Sequence, residues 1–176
     1  MFNDKSNVMS TVIFKWNPAF SSSPMIGYLD NLYRICHGEK VQFDWSVWDY
    51  DKIQEGDRYY WVKLGYGQTG IVSSGKIIKA PYQGEDWSGK GRVTYYVDYE
   101  PDVMINPDTL PILTSKELTT EIPDFDWYKG HSGIVLNEQQ AANLEILWHK
   151  FIERNSGFWQ KALEARYKDQ LWMKER

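Results

Sequence analysis

The sequence has one cysteine, Cys36, in 176 residues, so an internal disulfide is excluded. Its three histidines, His37, His131 and His149, are scattered, and no Cys/His spacing resembles a zinc site. Nucleophile-elbow and phosphate-loop motifs are missing too. Ser132 follows His131 directly, but catalytic partners are assembled in space rather than by adjacency. Basic residues are few: 20 Lys and Arg against 24 Asp and Glu leave a net charge of -4. That argues against gripping nucleic acid chiefly by counterion release, which needs a dense Lys/Arg face. No apolar run approaches the roughly 20 residues of a membrane-spanning helix, and the N-terminus lacks a charged-then-apolar signal pattern. These absences predict a cytoplasmic protein with no metal or other cofactor, no membrane partner and no catalytic residue set.

Aromatic residues are abundant. They make up 16% of the chain, with nine tryptophans, more than a core of this size requires. The chain is organised around residues 45–75, where apolar and polar residues alternate at period two and Gly56-Asp57 and Gly65-Tyr66-Gly67 supply turns. This reads as consecutive antiparallel strands that hold aromatic surface. The length suits one domain: a loose leader over residues 1–10, a folded body over 11–153 and a helix over 154–176 packed on it.

Thr11 to Trp16 reads as a largely buried first strand, ended by Asn17-Pro18. Ser21-Ser22-Ser23-Pro24 predicts a Ser-capped helix that runs to Gly38 and covers one end of the sheet. Val41 to Trp48 alternates, with Val41, Phe43, Trp45 and Val47 on one side and Ser46 and Trp48 on the other. Strands follow over Arg58 to Leu64 and Gly70 to Ala80, where Gly75 predicts a bulge or a close backbone approach. Pro81 to Gly91 reads as a polar loop around Trp87, and Arg92 to Glu100 as a strand. Pro101 to Pro123 reads as irregular apart from a short helix near Ser115 to Thr119, and Ile134 to Leu136 as a last short strand. Asn137 and Gln140 form a capping box before a helix carrying Leu144, Trp148 and Phe151 on one face. Phe158 to Arg176 reads as a further helix, from the four-residue spacing of Trp159, Leu163, Tyr167 and Leu171. The fold class is α+β: a bent or barrel-like, mostly antiparallel sheet flanked by helices.

Several strings then stand in a familiar order: Trp45-Ser46-Val47, Gly56-Asp57-Arg58, Gly70-Ile71-Val72-Ser73-Ser74-Gly75, Pro81-Tyr82 with Trp87, Tyr96-Val97-Asp98, Trp127 with Ser132-Gly133-Ile134, and Leu144 to Trp148. Over roughly residues 12–150 the chain resembles EVE domains of the PUA-like superfamily, most closely the EVE-like domains fused to HNH nucleases. The resemblance implies a PUA-like fold and a reader of modified bases in DNA or RNA, with any effector supplied by a separate protein. Two positions depart from the family pattern. Trp48-Asp49 stands where Gly-Arg is common, and Thr69 where Arg often precedes Gly-Ile, so the implied phosphate grip is weakened.

A reader that takes a base out of its stack recovers the lost energy by placing it between aromatic faces and bonding its edge. The matching strings make Trp16, Trp45 and Trp127 the candidate walls, with Asn17, Ser46, Ser73, Ser74, Tyr128 and Ser132 as the polar groups near the base. The same tryptophans also read as core, and the same serines as satisfied groups at strand ends. Two other functional readings stand beside this one: a small hydrolase of the related ASCH type, and a protein interaction module using the apolar stripe of the last helix.

Overall fold

Every residue of Thr11–Trp16 (β1) is buried, Thr11 and Lys15 included, because the strand lies between two others. On one side it pairs in parallel with Arg58–Lys63 (β3), on the other antiparallel with Ile134–Val135 (β7). The computed structural model describes residues 8–164 and 169–174. Between β1 and β3 lie Met25–Cys36 (α1), Phe43–Ser46 (β2) and a single 3-10 turn at Tyr50–Lys52. After β3 come two long strands, Gly70–Glu85 (β4) and Val93–Ile105 (β5), then Leu113–Thr114 (β6) and Ser115–Glu121 (α2). Following β7, the chain forms Glu138–Arg154 (α3), Ser156–Glu164 (α4) and Leu171–Met173 (β8).

The described strands form one eight-stranded sheet in the order β2-β5-β4-β3-β1-β7, with β6 paired to β4 and β8 to β5 off that path. All its pairings except β1–β3 are antiparallel. The sheet bends until its two outer strands approach each other. Just past β2, the Trp48 amide donates to the Ser132 carbonyl at 2.9 Å and the Asp49 amide to the Gly133 carbonyl at 3.0 Å. The Asp49 carboxylate accepts from the Val135 amide at 2.9 Å. This seam turns a twisted sheet into a nearly closed one, the α+β architecture expected from the sequence.

Gly133 is what lets the seam close. Its φ is +80°, and a Cβ there would stand 2.4 Å from Val47 Cα. Gly133→Ala therefore combines left-handed strain with overpacking, an expected loss of about 2–5 kcal/mol. Gly89 has φ +71° but open space around it, so Gly89→Ala isolates the strain alone, about 1–2 kcal/mol. Urea melts of the two variants check the comparison, and equal losses would mean that the seam is not tight.

Helix α1 covers one end of the sheet as expected, with Tyr28 and Leu32 buried and the Tyr28 hydroxyl donating to the carbonyls of Ile105 at 2.8 Å and Val72 at 3.1 Å. Its start differs from the expected Ser cap. Pro24 is the N-cap residue, no side chain caps the helix, and the Pro24 carbonyl takes the first-turn amides of Gly27 and Tyr28. On α3 the capping box of Asn137 and Gln140 is present as expected. Arg58 fastens this helix to the sheet by bonding Glu145 at 2.9 Å and Asp102 at 2.6 Å.

Two prolines misled the strand boundaries. β4 runs through Pro81 to Glu85 and β5 through Pro101 to Ile105, where loop was expected. Both prolines sit at register shifts between β4 and β5, where a ladder amide is not needed. Gly75 marks one of those shifts, and a Cβ there would stand 2.1 Å from the Glu100 carbonyl oxygen.

The tail is not one helix. Among the described residues α4 spans Ser156–Glu164, and Leu171–Met173 adds a strand to β5 rather than continuing a helix. Pairing with the free edge of β5 outweighs the helical spacing that Leu171 shares with Trp159. Tyr167 and residues 1–7 of the expected leader lie outside the described residues.

Candidate base-binding pocket

The pocket forms where the bent sheet fails to pair. β2 is an outer strand whose ladder is made to β5 on one side only. In an antiparallel strand the amide and carbonyl of alternate residues point to opposite edges. The Val47 amide bonds Tyr95 of the β5 chain, whereas the Trp48 amide turns the other way to Ser132. By that alternation Asp44 and Ser46 also direct their main-chain groups toward the open edge. Both residues line a cavity of about 550 Å³ there. Its opposite side is the end of β1, Lys15 and Trp16, followed by Asn17.

Ser132 joins the two sides. Its hydroxyl oxygen accepts the Lys15 amide at 2.9 Å and the Trp45 indole N–H at 2.9 Å. Both lone pairs are thereby used, which leaves the hydroxyl proton as a donor at the pocket wall. The Trp45 ring is half-buried and lies 4.5 Å from that of Trp61 on the facing strand β3. Trp61 is itself 5.9 Å from Trp16 and 5.4 Å from Tyr99. These four rings make a continuous aromatic wall, and Trp87 and Tyr96 border the same cavity from the β4–β5 hairpin. Trp61 Nε1 is buried with no hydrogen-bond partner among the described residues, a second unspent donor in the wall.

Charge is sparse in the pocket. The Lys15 ammonium bonds the Lys129 carbonyl and lies 4.8 Å from the Phe125 ring, neither of which lines the cavity. Burial pulls its pKa down, against the attraction of Asp126. At the rim, burial and the neighbouring Asp98 push the Asp44 carboxyl above the usual carboxylate range. Tyr99 is pushed well above the normal phenol range, mainly by burial, and Tyr96 is raised by burial and Asp86. Both phenols therefore keep their protons at neutral pH.

The structure brings together Trp16, Asn17, Trp45, Ser46 and Ser132 from the candidates named in the sequence. It places the others elsewhere. Trp127 is fully buried, donates to the Ile122 carbonyl at 3.0 Å and packs on Phe125, so it does not wall this cavity. Tyr128 is exposed outside the pocket. Ser73 is buried with its hydroxyl 3.2 Å from that of Tyr59, and it lines a separate void of about 20 Å³ that Trp61 also borders. Ser74 points to the other side of the sheet and donates to Asp102. Trp61, Trp87, Tyr96 and Tyr99 were missed. The signal for Trp61 was its place in the aromatic-rich stretch, but its approach to Trp45 joins β3 to β2 across the sheet interior, with β4 and β5 between them in the ladder order.

Solved structures share this fold of a bent, mostly antiparallel sheet flanked by helices. A protein from Leishmania major aligns with TM-score 0.52 at 12% identity, over 81% of this chain and 96% of its own. Human THYN1, in complex with DNA containing 5-methylcytosine, aligns with TM-score 0.51 at 14% identity, over 78% and 96%. A Pseudomonas syringae protein aligns with TM-score 0.50 at 15% identity, over 78% and 98%. At these identities the likeness is one of fold. No family model and no curated protein sequence matches the chain.

Proposed function

We propose that the protein binds a modified nucleic-acid base, inserted into the cavity between β2 and the end of β1, without chemical turnover. The observation that carries this reading is the combination of the Trp16–Trp61–Trp45–Tyr99 wall with the unpaired main-chain edge of Asp44 and Ser46. A ring-shaped ligand meets aromatic faces there, while alternating donors and acceptors meet its polar edge. The cavity of about 550 Å³ is large enough to admit a base with its sugar, and the Ser132 hydroxyl adds a fixed donor. The fold shared with THYN1 bound to 5-methylcytosine DNA supports the same ligand class. Any downstream action belongs to a separate effector protein. The lone Cys36, whose thiol burial pushes up to about 11, fits a protein that works reduced in the cytoplasm.

The test compares oligonucleotides of one sequence carrying cytosine, 5-methylcytosine, adenine or N6-methyladenine at one central position, as DNA and as RNA. A preference of tenfold or more for one modified base is expected. The preference should change little between low and moderate salt, because the pocket spends its one lysine internally and carries Asp44 at its rim. Equal affinity for all bases with a steep salt slope would identify an electrostatic surface binder and end this reading.

A further inference from the structure

Beside the pocket, two residues past the end of β2, a second aromatic feature stands in solvent. Trp48 is 60% exposed, and its indole lies parallel to the His131 imidazole, with centroids 3.8 Å apart and planes 4° from coincidence. Both residues belong to the seam: the Trp48 amide bonds the Ser132 carbonyl, and His131 precedes the serine that pins Trp45. The alternation continues past β2, since the Val47 amide turns to Tyr95 and the Trp48 amide to Ser132, so Ser46 and Trp48 fall on one side of the chain. Ser46 pairs across the ladder with Tyr96, and both border the cavity. Two residues of extended chain span about 7 Å, so the Trp48 ring begins about that far along the strand from Ser46 at the cavity edge. The core does not need this ring. Val47, its neighbour, is the buried residue, and the partner of Trp48 is another exposed ring.

We infer that the Trp48–His131 pair is a stacking platform for the nucleotide next to the bound base, so that the protein takes its base from a polynucleotide rather than as a free nucleoside. This rests on the binding reading above. A base drawn into the cavity leaves its chain neighbour without a stacking partner, and an exposed indole on the adjoining face replaces that partner for any sequence, since every base has a π-face. His131 holds the indole plane on one side and leaves the other for the incoming ring. The neighbour's phosphate need not meet a cation, in keeping with the acidic chain.

The experiment measures affinity for the preferred modified base as a free nucleoside, as a trinucleotide and as a nine-nucleotide single strand, using wild type, Trp48→Ala and Trp45→Ala. Wild type should bind the trinucleotide at least five-fold more tightly than the nucleoside. Trp48→Ala should lose roughly five- to a hundred-fold on both oligonucleotides and leave the nucleoside unchanged, while Trp45→Ala should weaken all three ligands. If wild type binds nucleoside and trinucleotide equally, or Trp48→Ala binds oligonucleotides normally, the platform is wrong and the pocket reading stands. If wild type binds none of the three, both are wrong. Trp48→Phe, which keeps a ring, should recover most of the oligonucleotide affinity; failure to do so would point to a structural role for the indole.

Discussion

Trp45→Ala should weaken binding of the modified base by roughly five- to more than a hundred-fold, the equivalent of about 1–3 kcal/mol for one lost stacking face. Trp45 is the best single probe of the pocket because its ring is half-buried, whereas Trp16 and Trp61 are core residues whose loss would also unfold the sheet. The substitution has a second effect. Trp45 Nε1 occupies one lone pair of the Ser132 hydroxyl, and without it that hydroxyl can turn away from the ligand. Trp45→Phe keeps a ring but not the N–H, so its affinity should fall between wild type and alanine. Titration calorimetry alongside thermal melts separates binding from folding. Full affinity in a folded Trp45→Ala would remove this residue from the site.

Deleting residues 156–176 should lower the thermal midpoint by more than about 10 °C with the oligomeric mass unchanged. Trp159 is buried against Phe151 of α3, with ring centroids 5.4 Å apart. Leu171 is buried too, and β8 pairs with Val103, Met104 and Ile105 of β5. The Asn106 amide bonds the Gln170 carbonyl, and the Lys174 amide the Asp102 carbonyl. Losing a buried Trp and a buried Leu costs about 5–10 kcal/mol together, and in a domain of this size each kcal/mol moves the midpoint by roughly 2–4 °C. A midpoint within about 2 °C of wild type, with a changed mass on a sizing column, would instead make the tail an interface between chains.

The sequence made the local features of the fold readable where one strand face or one helix stripe decided them. The buried run of β1, the alternation around Trp45, the Asn137–Gln140 box and the bulge at Gly75 all follow from short-range pattern. What it hid was long-range. Pro81 and Pro101 sit inside strands because two bulges of the β4–β5 ladder coincide with them, and no local signal marks the partner strand. Leu171 reads as helical until β5 offers it an edge. In the site, Trp45, Ser46 and Ser132 were visible through the strings that carry the family resemblance and Trp16 as the end of the first strand, whereas Trp61 became a wall only when β3 folded opposite β2. Trp127 shares the motif's aromatic character, but its indole is used within the core.

The seam also sets the order in which this chain can become functional. The Ser132 hydroxyl lies 117 residues from its Lys15 partner and 87 from Trp45. At a synthesis rate of about 5–20 residues per second, Trp45 is made roughly 4–17 s before the serine that fixes it. Throughout that interval β2 has no seam partner, and once Tyr99 of β5 has been made the aromatic wall can assemble only with an open strand edge beside it. Pairings this distant in sequence form slowly once the chain is complete, in milliseconds to seconds. The proposed base-binding surface is therefore open to aggregation while the protein is being made.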